Sequence, residues 1–192
     1  LAASDEIENK DFTLSQVGKF EEANTIIEQE LGRNYLKHLL NTHGIINYSA
    51  YQYDMVRLGI GLFGEDFSGK RKRNLQTVAT FKTTITQIKH VIKGESIGYG
   101  RNTILTEDKT IGILPVGYAD GYSRALSNTA EVFINDRKAP IIGNICMDIT
   151  MIDVTNLNAQ VGDKVELFGS YISLSELAQN AGTIPYEILT SI

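Results

Sequence analysis

The apolar residues of this sequence change their period once, and that change limits the fold more than any single motif does. Between Thr13 and Leu31, the apolar positions Leu14, Val17, Phe20, Ala23, Ile27 and Leu31 recur at spacings of three and four, which predicts a helix packed on one face. Thr13 with Gln16 reads as a capping box, and Phe12 is placed to staple onto Val17. From about residue 77, short β-rich runs alternate with turn signals instead. The runs cover residues 78–92, 111–116, 130–134, 139–142, 149–154 and 164–168; the breaks are Lys93-Gly94-Glu95, Glu107-Asp108-Lys109, Asn135-Asp136 and Val161-Gly162-Asp163. Many short strands at this spacing predict an antiparallel sandwich or barrel. A final helix is predicted from Ser173, with Glu176 completing its cap, to near Gly182.

Between the two regimes, residues 35–40 read as a short strand and Asn41-Thr42-His43-Gly44 as a loop. Tyr48 to Tyr53 reads as a helix or an irregular segment. It leads to an apolar stretch, residues 55–64, whose three glycines are wrong for a helix interior. Helix, strand, loop, helix, strand is the rhythm of α/β units with a parallel sheet. Residues 67–76, which hold Gly69 and the run Lys70-Arg71-Lys72-Arg73, read as a linker.

Composition narrows the partners. At 192 residues the chain is one large domain or two small ones, with the 42% hydrophobic and 21% charged content of a globular protein. The net charge of −5 argues against nucleic acid, and the four adjacent cations lack the aromatic residues that would accompany them in a nucleic-acid patch. The acidity is local: residues 1–65 carry 10 acidic and 5 basic side chains, and the remainder carries 13 of each. No apolar run approaches the roughly 18 residues of a membrane span. The single cysteine, Cys146, asks for no oxidising compartment, so a cytoplasmic setting is expected. Leu1 is an odd first residue for a gene product, and a fragment is expected.

Three places stand out as carriers of chemistry. Pro115-Val116-Gly117-Tyr118-Ala119-Asp120-Gly121-Tyr122-Ser123-Arg124 runs from a strand into a loop with two glycines, two tyrosines, an aspartate and an arginine. Its plainest reading is a hairpin turning at Asp120-Gly121. Gly143-Asn144-Ile145-Cys146-Met147-Asp148 is a second strand end with a polar cluster; Cys146 has no CxxC partner, so no metal is expected, and a buried small side chain is its default role. Third, Arg57 ends an apolar run just before Gly59, where an arginine could bind phosphate or steer a cofactor, with a surface ion pair as the competing role. His38, Asn41 and Thr42 lie at the end of the other predicted strand, where a barrel places its active-site loops.

Four motifs, taken in order, resemble the alanine racemase family. They are Asp54-Met55-Val56-Arg57-Leu58-Gly59-Ile60-Gly61-Leu62-Phe63-Gly64, Ser96-Ile97-Gly98-Tyr99-Gly100, Val116-Gly117-Tyr118-Ala119-Asp120-Gly121-Tyr122 and Ala139-Pro140-Ile141-Ile142-Gly143-Asn144-Ile145-Cys146-Met147-Asp148. The resemblance covers nearly the whole chain but only the later half of a family member. It implies an α/β barrel remnant, the last βα units of a TIM-type barrel, over residues 1–66; a linker over 67–76; and a mainly antiparallel C-terminal β domain over 77–192.

The resemblance also implies a function. The family uses pyridoxal 5'-phosphate and works as a homodimer with shared active sites on a small amino-acid substrate. Tyr118, in the GYADG motif, matches the tyrosine base donated across the dimer interface. Met147 matches the residue whose backbone N–H meets the substrate carboxylate. Arg57 matches the arginine facing the pyridine nitrogen, and His38 a histidine hydrogen-bonded to it. Thr42, Gly59 and Ile60 fall where the phosphate is gripped, Thr42 standing where a serine is usual. Racemisation at Cα needs a proton removed from one face and returned on the other, hence two bases. A phenol ionises near pH 10 in water and needs positive charge nearby to serve near neutral pH.

The cofactor-bearing lysine is absent from this chain, and the family's phosphate-contacting tyrosine lies past Ile192, so the chain by itself is expected to be inactive. Serine or broad-specificity racemases share these motifs. A non-catalytic dimerisation module and an unrelated β-barrel ligand-binding domain preceded by a helical hairpin are the other readings.

Overall fold

The computed structural model describes residues 1–65 and 75–192, so the run from Lys70 to Arg73 lies outside the described residues. The chain forms two compact units, Leu1–Gln76 and Thr77–Ile192.

The first unit is built around α1 (Lys10–Leu31). Its start differs from the sequence expectation. The 3-10 turn at Ile7–Asn9 feeds directly into it, and Thr13 lies inside the helix, fully buried, its hydroxyl donating to the Ala3 carbonyl at 3.3 Å. Gln16 does not cap either; its side chain bonds both the nitrogen and the carbonyl of Ala2 at 3.0 Å. Residues 1–9 fold back over the first turns and supply partners that a capping box would have supplied locally. The buried line runs through Thr13, Val17 and Asn24, while Ile27 and Leu31 of the predicted stripe are exposed. Asn24 is buried at the cost of an amide that must be satisfied, and Tyr35 Oη donates to its Oδ1 at 2.9 Å. Gly32, at φ 61°, ends the helix.

The predicted strand at residues 35–40 is reduced to one parallel bridge, His38 with Met55. Around it, Met55 N–H donates to the Lys37 carbonyl and Arg57 N–H to the Leu40 carbonyl. Asn41-Thr42-His43-Gly44 is not a loop but the opening of α2 (Thr42–Asn47), with Asn41 Oδ1 accepting from Gly44 N–H at 2.9 Å. A 3-10 turn at Ser49–Tyr51 follows, and a second, Ile60–Phe63, takes up Gly61. The described residues of this unit therefore hold one parallel step.

The second unit is all antiparallel. Its strands are β1 (Phe81–Thr84), β2 (Gln87–Val91), β3 (Ser96–Ile97), β4 (Thr103–Ile104), β5 (Lys109–Leu114), β6 (Glu131–Ile134), β7 (Arg137–Pro140), β8 (Thr150–Asp153) and β9 (Lys164–Phe168). They pair as β1-β9-β6-β7, β2-β5-β8 and β3-β4. The predicted run at 78–92 is two strands in different sheets. It turns at Ile85-Thr86, where Ile85 N–H goes to Asp163 and Thr86 N–H to Ile113, the corner by which a chain passes between packed sheets. Asn135 and Asp136, at φ 47° and 61°, form the two-residue turn between β6 and β7.

The core between the sheets takes Leu114, Val132, Ile134, Ile152, Val165 and Leu167, all essentially without exposure. Two helices close one side. α3 (Leu174–Ala181) starts at Ser173, whose Oγ accepts from Glu176 N–H at 3.1 Å, and stops at left-handed Gly182. It is not the last helix, because Pro185 opens α4 (Pro185–Ser191), a position where proline's missing N–H costs nothing. Among the described residues, no helix is long and apolar enough to cross a membrane.

Candidate active site

Two sequence motifs meet backbone to backbone in the second unit. Beyond β5, Tyr118 N–H donates to the Cys146 carbonyl at 3.0 Å and Ala119 N–H to the Met147 carbonyl at 2.9 Å. Only glycine permits this crossing: a Cβ on Gly117 would lie 2.2 Å from the Cys146 oxygen and 2.3 Å from that of Met147. Asp120 Oδ2 accepts from Gly117 N–H at 3.0 Å and closes a 3-10 turn over Tyr118–Asp120. Asp120-Gly121 is thus no hairpin turn, since β5 already has β2 and β8 as neighbours. Its job is to aim the loop at the 143–147 segment.

The junction walls a cavity of about 290 Å³ lined by Tyr99, Tyr118, Arg124, Asn144, Cys146 and Met147. Cys146 is partly exposed on this wall, not a buried filler, with its thiol toward the Asn144 carbonyl at 3.5 Å. Tyr118 is 47% exposed and Met147 53%. Tyr99, which stands in the second of the four motifs but has no role assigned to it there, is 84% exposed at the tip of the β3-β4 hairpin. Its signal is the pair of glycines around it: Gly98 and Gly100 stand at φ 75° and 80°, a left-handed backbone that lifts the ring outward. Below the wall Tyr122 is 1% exposed, and burial pushes its phenol well above the ordinary tyrosine range.

A separate cluster forms in the first unit. Thr42 is buried, and its hydroxyl accepts from Gly59 N–H at 2.9 Å and Gly61 N–H at 3.5 Å. A Cβ on Gly61 would press on Leu58 and Thr42 at 3.0 and 3.1 Å. Ile60 is fully buried beside them. Arg57 Nη1 meets His38 Nδ1 at 2.5 Å and Nη2 donates to the Leu39 carbonyl at 3.2 Å. A guanidinium has only donors, so Nδ1 is the acceptor of the imidazole. The structure thus gathers Arg57, His38, Thr42, Gly59 and Ile60 in one unit, and Tyr118 and Met147 in the other.

This division coincides with two family profiles. "Alanine racemase, N-terminal domain" matches residues 1–66, and "Alanine racemase, C-terminal domain" matches residues 78–192. The chain belongs to the alanine racemase family. The alanine racemase of Thermodesulfovibrio yellowstonii is 40% identical over 189 residues, covering 96% of this chain and 50% of that protein. That of Halothermothrix orenii is 40% identical over 199 residues, covering 100% and 52%. Among solved structures, alanine racemase from Bacillus anthracis with bound L-Ala-P superposes with a TM-score of 0.91 at 32% identity, covering 100% of this chain and 51% of that one. The Bartonella henselae alanine racemase with covalently bound pyridoxal phosphate gives 0.87 at 32% identity, covering 100% and 52%. The chain therefore spans about half the length of the alanine racemases it matches.

Proposed function

We propose that this chain is the C-terminal half of a pyridoxal-phosphate-dependent alanine racemase, with residues 1–66 the end of the cofactor-binding barrel, 67–76 a linker and 77–192 the β domain. The observation that carries the reading is the junction of the GYADG loop with the ICMD segment around one cavity that holds two phenols.

The first unit fits the cofactor. A phosphate site needs backbone N–H groups converging beside a hydroxyl; here Gly59 and Gly61 N–H both donate to the Thr42 hydroxyl, which gathers the donors at one place, and a Cβ at Gly61 would press on Leu58 and Thr42. Thr42, Gly59 and Ile60 would hold the phosphate. Arg57, kept in place by His38 and the Leu39 carbonyl, would present donors alone to the pyridine nitrogen. Bound there, pyridoxal phosphate supplies the electron sink that makes the substrate Cα–H acidic.

The remaining roles fall to this chain's own groups. Met147 N–H donates to the substrate carboxylate and orients it. A phenol of the cavity takes the proton from Cα on one face, or returns it there, while the lysine base of the other face lies outside this chain. The family motif gives the phenol role to Tyr118. The exposure of Tyr99 and its two flanking left-handed glycines favour Tyr99 as the ring that reaches a partner's cleft, with Tyr118 lining the wall behind it. A phenol this exposed is open to contact from a second copy, as a homodimer with shared sites requires. Without the cofactor lysine, the chain alone turns over no alanine.

In the complete racemase, Cα–H exchange into deuterated water is followed separately from L- and D-alanine for Tyr99→Phe and Tyr118→Phe. Loss of the base lowers exchange from one enantiomer by about 10²-fold to 10⁴-fold. Full racemisation by both variants refutes the phenol role.

A further inference from the structure

The hairpin that carries Tyr99 pairs over two residues on each strand, Ser96 with Ile104 and Ile97 with Thr103. So short a hairpin does not hold its shape in water. Its tip nevertheless passes through three left-handed residues, Gly98, Gly100 and Arg101 at φ 53°, so its restraint comes from outside.

Part of that restraint is apolar, since Ile97 and the adjoining Leu105 are buried with Ile111 and Met151; at the tip, two asparagine side chains supply it. Asn144 Nδ2 donates to the Tyr99 carbonyl at 2.9 Å, and a Cβ at Gly98 would meet the Asn144 nitrogen at 3.2 Å. Asn128 Oδ1 accepts from Gly143 N–H at 2.7 Å and from the Thr103 hydroxyl at 3.3 Å. One amide oxygen thus ties β4 to the residue before Asn144. Next to it, Ser127 Oγ accepts from Ile145 N–H at 2.9 Å. The 143–147 segment is held by these side chains and in turn holds the Tyr99 tip.

We propose that Asn144 is a positioning residue of the racemase which, with Asn128 behind it, locks Tyr99 to the segment carrying Met147. The proposal rests on the reading of Tyr99 as the proton-transferring phenol. Asn144 acts through the Tyr99 backbone, setting the distance between that phenol and the N–H that receives the substrate carboxylate. The position requires a donor. An aspartate of the same shape offers acceptors alone to the Tyr99 carbonyl, whereas a glutamine retains the amide N–H.

The test uses the complete, cofactor-loaded racemase. Asn144→Asp is expected to speed hydrogen exchange in the peptide spanning residues 98–104 by about fivefold to tenfold, the scale of one lost hydrogen bond, with β5 and β8 unchanged. It is expected to lower kcat by about tenfold to a hundredfold with KM for alanine within about twofold. Asn144→Gln recovers part of both. Thr103→Val, which removes one donor to Asn128 from the far strand, loosens the same peptide. Unchanged exchange in Asn144→Asp overturns the proposal, and so does faster exchange with unchanged kcat. Full turnover by Tyr99→Phe instead defeats the reading beneath it; the exchange measurement needs no turnover and still decides whether Asn144 holds the loop.

Discussion

Tyr122 and Gly117 sit five residues apart in one motif and are constrained for opposite reasons. The Tyr122 ring fills the core against Phe81, 6.4 Å between centroids, but its hydroxyl is buried without a hydrogen-bond partner among the described residues. An unsatisfied buried hydroxyl costs about 1–3 kcal/mol. Tyr122→Phe is therefore expected to stabilise the chain by about 1 kcal/mol, read as a higher urea midpoint at unchanged slope. At Gly117 the obstacle to a side chain is backbone, which cannot swing aside. Gly117→Ala is expected to cost about 2–4 kcal/mol and to open the junction between Tyr118 and Met147; a midpoint equal to the parent's would contradict that crossing. From the sequence, the GYADGY motif reads as a tight loop. Which of its tyrosines is buried and which is presented follows from where α4 and the 143–147 segment pack, and no local pattern records that.

At the scale of elements, β5 and β8 are joined by an ion pair as well as by their ladder. Lys109 Nζ lies 2.7 Å from Asp153 Oδ2 and 3.1 Å from Glu107. Burial alone would raise the Asp153 carboxyl, but the bonds from Lys109 and Thr155 outweigh it and hold it below its ordinary 3.8. A depressed folded value means that the carboxylate's contribution to stability is present above about pH 4 and is lost as pH falls through the folded value. Asp153→Asn is expected to flatten the acid limb of stability between about pH 5 and 2, checked by urea midpoints across that range; an acid limb as steep as the parent's would remove Asp153 from the account. Lys109 is raised by its bonds to Asp153 and Glu107, so its share persists to alkaline pH.

Elements whose signals are local were legible in the sequence. Ser173 with Glu176 and the Asn135-Asp136 turn depend on hydrogen bonds and dihedrals within a few residues. The start of α1 was not, because its partners, Ala2 and Ala3, come from a segment folded back from outside the helix. β3 and β4, two residues each, are too short to show a period.

For the molecule as a whole, the large apolar cluster, from Ala79 to Leu189, draws on the second unit alone. That unit satisfies its own core. Residues 77–192 expressed alone are expected to unfold in a single cooperative transition, checked by the coincidence of fluorescence and circular dichroism midpoints; non-coincident curves would show that it depends on the first unit. The first unit leaves Leu36 74% and Leu62 61% exposed, and residues 1–76 alone are expected to self-associate.

The order of motifs, the change of period and the Ser173 cap of α3 were determined by the sequence itself, because each rests on the residues as they stand in the chain or on neighbours a few positions away. The family and the antiparallel character of the second unit follow from them. Tertiary structure alone decided that Gly117 crosses the Cys146-Met147 backbone, that Cys146 faces a cavity and that Tyr99 projects from it. Those facts depend on contacts between segments 28 to 45 residues apart, where the energy lies in which surfaces meet and chain order is silent.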